Sequence, residues 1–357
     1  AAEAGDEAPV DDVILRIPTR DLLFLGLIVN RGFALLAVGF GMLHELNAFE
    51  TVWRYLGIEE RVTELAGAGV GAVIIQVVVF LVAMVVVFVG FSMAWSVVRF
   101  SGFTLRVVGD DLRVTCGLFT RIAASLPRHR IQAVTVWATW FHRLFGFASM
   151  AVQTAGGTGS DDSTNILRRR FVPILRTDDV PRVLAALLPG RELGDPAWES
   201  ISATAARRMR RRALIALGVL TLPAAWFWPP ALIVGTLLAA LAWWWAGEAA
   251  RRARYARLEG GLVWERGVFT RRTTVLPDDK LQTVTLSASP FDRRHGHVTL
   301  TTDAAGGGPA GPEVSVRYLD TAPAERLRLD LARAAAATTY VVAPTARTPD
   351  PTPAPSA

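Results

Sequence analysis

The sequence predicts an α+β membrane protein on a repeated plan: two transmembrane helical hairpins, four spans in all, each followed by an antiparallel β-barrel or sandwich capped by a C-terminal helix. Three observations predict it. The 357 residues are 51% hydrophobic and include 11 tryptophans, richer than an ordinary soluble domain. The apolar residues gather into two pairs of long stretches. The segments that follow the two pairs repeat each other at a constant offset of 150 residues.

In the first hairpin one stretch covers residues 22–46, broken by Asn30-Arg31-Gly32, and the other covers residues 66–98, where Gln76 and two serines are the clearly polar side chains. Arg31 is costly in lipid, so residues 21–29 read as a short interfacial segment and the span starts near Arg31, which snorkels. The second hairpin is the uncharged run 213–247, bent at Pro229-Pro230 into arms of about 17 residues, the lower limit for a span. An intramembrane re-entrant hairpin is the alternative. Trp226 and Trp228 beside the turn, with Trp243, Trp244 and Trp245 at the far end, stand where interfacial anchors are expected.

The arginines set the orientation. RRMRRR (residues 207–212) and RRARYAR (residues 251–257) flank the second hairpin on one side, and its turn carries no charge. By the positive-inside rule both flanks are cytoplasmic. The chain therefore divides into an N-terminal segment at 1–20, read as the end of a preceding domain; hairpin 1 at 21–98; a first domain at 99–192; a basic linker at 193–212; hairpin 2 at 213–250; a second domain at 251–340; and a disordered Pro/Thr-rich tail at 341–357. The opening AAEAGDEAPVDD has no initiator methionine and reads as starting partway through a longer protein.

The net charge of +6 suits nucleic acid and anionic lipid equally. Residues 126–146, LPRHRIQAVTVWATWFHRLFG, have the mixture of basic and aromatic residues found on nucleic-acid surfaces. The repeat removes that reading. Residues 276–296 keep Leu-Pro, Gln-x-Val-Thr, Phe-x-Arg and Gly, but replace both tryptophans and turn Arg128-His129 into Asp278-Asp279. What persists is a strand-and-turn framework, so no nucleic-acid partner is expected.

Residues 117–157 align with 267–307 without a gap, 16 of 41 positions being identical. Gly117 and Gly267 precede Phe-Thr-Arg, as a tight turn between strands requires. Leu-Pro then ends one alternating run and leads into another, RIQAVTV or KLQTVTL; further strands FASMAVQT and HVTLTT follow, then a Gly-Gly turn. Helices are expected at about 178–188 and 321–337, the latter led by Thr321 and Pro323.

In these residues the chain resembles the bacterial pleckstrin-homology-like (PH-like) membrane proteins of the YdbS/YdbT type. The resemblance rests on Gly-Leu-Phe-Thr-Arg, Leu-Pro-x-x-Arg/Lys-Ile/Leu-Gln-x-Val, Phe-x-Arg-x-x-Gly and the closing Ala-Gly-Gly, and covers about 100–190 and 255–337 with the preceding hairpins. It implies a seven-stranded barrel capped by a helix in each copy, a role at the membrane, and a smaller PH-like membrane protein of the same family as partner. RIPTRDLLFLGL (residues 16–27) looks like the junction after an earlier copy in YdbT-like members, implying a third, N-terminal PH-like copy that this chain lacks.

The expected function is a multi-pass scaffold in the bacterial plasma membrane, with cytoplasmic PH-like domains that bind protein partners and anionic membrane lipids. Candidate contacts are Arg121, Arg128, Arg130 and Arg143 in the first copy and Arg271, Lys280 and Arg293 in the second. Arg143 and Arg293 read equally as turn caps or carboxylate partners. Trp137, Trp140 and Phe141 read as packing inside or between domains, ahead of inserting at the interface. The alternative is a transporter or lipid-handling protein, for which the helices offer only Asn30, Arg31, His44 and Gln76. No catalytic or cofactor motif is present, so no enzyme activity and no cofactor is expected. His295 and His297 with Asp292 would make a metal site; the repeat sets the histidines opposite Phe145 and Phe147, and they read instead as surface substitutions, with no metal expected. Cys116, the sole cysteine, reads as a strand residue.

Overall fold

A computed structural model describes residues 11–29, 45, 70–154, 171–190, 196–304 and 314–337. The Asn30, Arg31 and His44 positions, the loop of hairpin 1 and the C-terminal tail lie outside the described residues.

The first copy runs β1 (Asp11–Arg16), α1 (Thr19–Ile28), α2 (Val70–Phe100), β2 (Thr104–Val108), β3 (Asp111–Cys116), β4 (Ile122–Pro127), β5 (Ile131–Thr139), α3 (Trp140–Leu144), β6 (Phe147–Thr154), β7 (Val172–Arg176) and α4 (Val180–Leu187). The second runs β8 (Glu199–Ser200), α5 (Ala205–Phe227), α6 (Ala231–Arg252), β9 (Arg254–Leu258), β10 (Gly261–Arg266), β11 (Thr270–Pro277), β12 (Leu281–Ser287), α7 (Pro290–Arg293), β13 (His297–Ala304), β14 (Val314–Asp320) and α8 (Thr321–Ala337). Among the described residues each copy thus has seven strands and a closing helix. The antiparallel α+β architecture agrees with the sequence reading.

Among the described residues two helices, Ile74–Phe100 and Ala231–Arg252, are long and apolar enough to cross a membrane. α5 opens on its arginine cluster, which leaves residues 213–227 uncharged, fewer than the roughly 20 residues a span needs. The α2 side chains Ile75 and Val86 and the α6 side chains Ile233 and Leu237 are exposed, as lipid-facing residues would be. α1 is not simply interfacial: Leu22 and Leu25 are fully buried, Phe24 stacks at a tilt on Phe145 and Phe147, and Ser92 of α2 donates to the Gly26 carbonyl at 2.8 Å.

The strand β1 joins the first copy's sheet, in the order β1-β2-β3-β4, and Arg182 of α4 donates to the Ile14 carbonyl. The alternation in β3 buries Leu112, Val114 and Cys116 beneath α4, whose Val183, Leu184 and Leu187 lie on one face at helical spacing. In the second copy α8 packs Ala324, Leu327 and Leu331 into the equivalent core.

The copies are not two beads on a string. β5 of the first pairs antiparallel with β11 of the second, Val134 opposite Val275 and Thr139 opposite Thr270, in a continuous sheet β7-β6-β5-β11-β10-β9-β8. The cores merge across this seam, with Val263 and Val275 packing into the first copy and Ala133 into the second.

Candidate functional site

The repeat turns are geometrically alike. Gly117 and Gly267 stand at φ 114° and 111°, and a Cβ there would meet the Thr120 or Thr270 carbonyl oxygen at 2.1 or 1.9 Å. Only glycine fits, and the turn fixes where the flanking β3–β4 and β10–β11 hairpins project their ends.

Those ends carry different chemistry. In the second copy Arg266 stands directly opposite Arg272, and both line a groove of about 530 Å³ with Arg317 of β14. Its other walls include Met209 of α5, Trp245 and Ala249 of α6, and Phe269. Burial, then the charges of Arg272 and Arg317, push the Arg266 guanidinium below its usual range. Among the described residues no carboxylate pairs with any of the three. Tyr318 in the same groove holds φ at 63°, a region bulky side chains avoid, and its hydroxyl accepts from Arg212 at 3.0 Å. Cation surplus, an apolar wall and the foot of a candidate span thus meet in one place.

Among the described residues the first copy does not repeat this cluster. Cys116 stands opposite Ile122 where Arg266 stands opposite Arg272. Equivalent bonds from Thr177 N to Gly146 O and Thr321 N to Gly296 O set Pro173 opposite Arg317 in the alignment. Cys116, Ile122 and Pro173 make the position apolar, and burial raises the Cys116 thiol's pKa. Sequence reading missed the three arginines, although the replacement of two apolar residues by two arginines at paired positions was visible in the repeat.

On the opposite face of the same hairpin, Arg143, Arg251, Arg252, Arg254 and Arg271 line a pocket of about 280 Å³. This one is partly compensated. Buried Glu265 takes Arg254 at 3.0 Å and Arg271 at 2.8 Å, and Glu248 takes Arg252 at 2.7 Å. Arg143 donates to the Val268 carbonyl across the seam at 3.0 Å. The pocket's arginines thus help to clamp the two copies together.

Of the other candidate residues, Arg121, Arg130 and Arg293 are exposed, Arg128 is half-buried, and Lys280 pairs with Asp279 at 3.1 Å. None of these lines either pocket. All five anchor tryptophans are exposed, Trp245 reaches the groove, and Arg210 lies over the Trp243 ring at 4.8 Å. Gln76 is exposed on α2. Trp140 and Phe141 are 56% and 50% exposed, against the expectation of core packing, because the short α3 turns them outward; Trp137 alone is half-buried, opposite Arg272.

His297 is a further correction. It is 1% exposed rather than a surface substitution, because β13 points it inward as β6 points Phe147; its Nε2 meets Thr204 Oγ1 at 2.9 Å. Burial, then Arg208, lowers its pKa. Among the described residues no cluster of three metal-ligating side chains occurs. The basic linker is also more than a topology signal: buried Arg208 pairs with Asp292 at 2.5 Å and donates to the Phe291 carbonyl, fastening α5 to the second copy.

Two helix-capped antiparallel units, each following an apolar helix long enough to cross a membrane, define a tandem α+β protein. The chain belongs to the bacterial PH domain family, whose model matches residues 64–190 and 213–335. Neither curated proteins nor solved structures give a significant match. PH-like domains of this kind suggest a role in binding protein or lipid.

Proposed function

We propose that the chain is a multi-pass scaffold of the bacterial plasma membrane, of the YdbS/YdbT type, whose cytoplasmic PH-like domains hold anionic lipid and protein partners and make no covalent chemistry. The cluster of Arg266, Arg272 and Arg317 beside Trp245 carries the lipid reading. Basic side chains near an anionic leaflet each gain about 1 kcal/mol, and here three converge beside an apolar wall suited to an acyl chain. The basic flanks at 207–212 and 251–257 support the cytoplasmic placement. A smaller PH-like membrane protein of the same family is the partner this reading expects.

The test is native mass spectrometry of the purified full chain from mixed phosphatidylglycerol and phosphatidylcholine. Retained phosphatidylglycerol should fall several-fold in Arg272→Gln/Arg317→Gln and hold in Arg121→Gln. Equal retention in all three would reject the groove as the lipid site.

A further inference from the structure

The seam between the copies uses unlike edges: the first copy offers its β5 edge and the second its β11 edge. Such a head-to-tail contact does not close on itself, so among the described residues one edge of each kind is left over. The unused counterpart of β11 is β4, the last strand of its sheet, and the unused counterpart of β5 is β12, likewise at a sheet end.

Exposure follows the same logic. Val134, Ala133, Val275 and Leu276 are buried in the seam. Their counterparts one repeat away, Val284, Thr283, Ser125 and Leu126, are half-buried or exposed. The turn residues differ most, Val268 being 6% exposed and Leu118 54%. Natural sheets protect free edges with charges, proline or twisting bulges. Neither IAASL nor LQTVTLS, the bodies of these strands, carries a charge or an interior proline. The register irregularity between Leu281 and Thr283 is no barrier, since β5 has the same one between Ile131 and Ala133 and pairs nonetheless.

We infer that β12 of one chain pairs antiparallel with β4 of a second copy of the same chain, repeating the internal seam between molecules. Moving the internal register by one repeat sets Ser125 opposite Val284 and Ala123 opposite Leu286. It also hands Arg293 the contact Arg143 makes, donating to the carbonyl of Leu118 in the second chain where Arg143 reaches Val268. Both copies follow directly on a candidate span, α2 before β2 and α6 before β9, so the operation that relates them keeps each next copy on the same side of the membrane. The product is a ring or row of chains, and it stands whether or not the groove binds lipid.

The test is disulfide cross-linking of the full chain in the bacterial membrane where it is expressed. Directly opposed residues have Cα atoms about 4.5–5.5 Å apart, within disulfide reach. Chains carrying Ser125→Cys, co-expressed with differently tagged chains carrying Val284→Cys, should give the mixed dimer on mild oxidation. Neither variant alone should dimerise, and wild type, whose Cys116 is buried, should stay silent. Ser125→Cys with Ser287→Cys is out of register by three residues, about 10 Å, and should cross-link at least ten-fold less. No mixed dimer, a Ser125→Cys homodimer, or equal yield from the out-of-register pair would each overturn the inference.

Discussion

Arg143 Nη2 donates to the carbonyl of Val268 at 3.0 Å, although the two residues belong to different copies of the repeat. Arg143 is kept as Arg293 in the second copy, where the side chain is exposed. One retained residue is thus a seam contact in one place and a free surface group in the other. Burial, then Arg252 and Arg271, depress the Arg143 pKa, so the bond is made in partly dry, positively charged surroundings. Arg143→Met should lower the melting temperature by the equivalent of roughly 1–2 kcal/mol, and Arg293→Met should leave it unchanged in the isolated chain. Thermal melts of the two variants in neutral detergent check this, and lipid retention should be unaffected in both.

The glycine turns separate space from backbone conformation. Gly267→Ala must displace the Thr270 carbonyl as well as hold φ at 111°, whereas Gly296, at φ 67°, has nothing within 4 Å of a built Cβ. A left-handed non-glycine residue costs about 1–2 kcal/mol, which is all Gly296→Ala should lose. Gly267→Ala should lose clearly more and loosen the β10–β11 hairpin. Hydrogen exchange across residues 261–277 would reveal this; equal protection in both variants would contradict it.

Much of this framework was legible in the sequence because a repeat shows which residues the backbone demands. Gly117 and Gly267, the Leu-Pro corners and the alternation of the strands all return as elements. The seam was not legible. RIQAVTV and KLQTVTL alternate in the same way whether the strand edge meets another copy or water, since periodicity reports faces and not edges. The traces are Ala133 and Val275, buried in the seam, against exposed Thr283 and Ser125. His297 escaped for a related reason. Its alignment with Phe147 suggests an aromatic replaced at the surface, whereas both positions point into a core.

His297 gives the fold a pH dependence with a definite sign. Burial, then Arg208, lowers its folded pKa from 6.5, with His295 adding to this and Asp320 and Asp292 opposing it. The unfolded chain therefore binds a proton that the folded chain refuses. Stability from the neutral ring is complete above about pH 6.5 and is lost as pH falls below that value toward the folded pKa. Melting temperatures between pH 7.5 and 5.5 should decline in wild type. His297→Phe, which copies Phe147, should flatten that decline over the same interval. An unchanged slope would place the proton uptake elsewhere.

The groove arginines predict an uncommon outcome, a substitution at a binding site that stabilises the unliganded protein. Arg272 faces Arg266 across the ladder, and like charges directly opposed cost a few tenths of a kcal/mol to about one. Ile122 occupies the same position in the first copy, opposite Cys116, so isoleucine fits the local backbone. It would also meet Trp137, which stands opposite Arg272 across the seam. Arg272→Ile should therefore melt slightly above wild type in neutral detergent, by the equivalent of about 0.5 kcal/mol, and its melting point should depend less on salt. Added phosphatidylglycerol should then raise the wild-type melting temperature by more than that of the variant, reversing their order. A lower melting point for Arg272→Ile in neutral detergent would mean that the cationic cluster is compensated in the free protein, leaving no unmet charge for a lipid phosphate to neutralise.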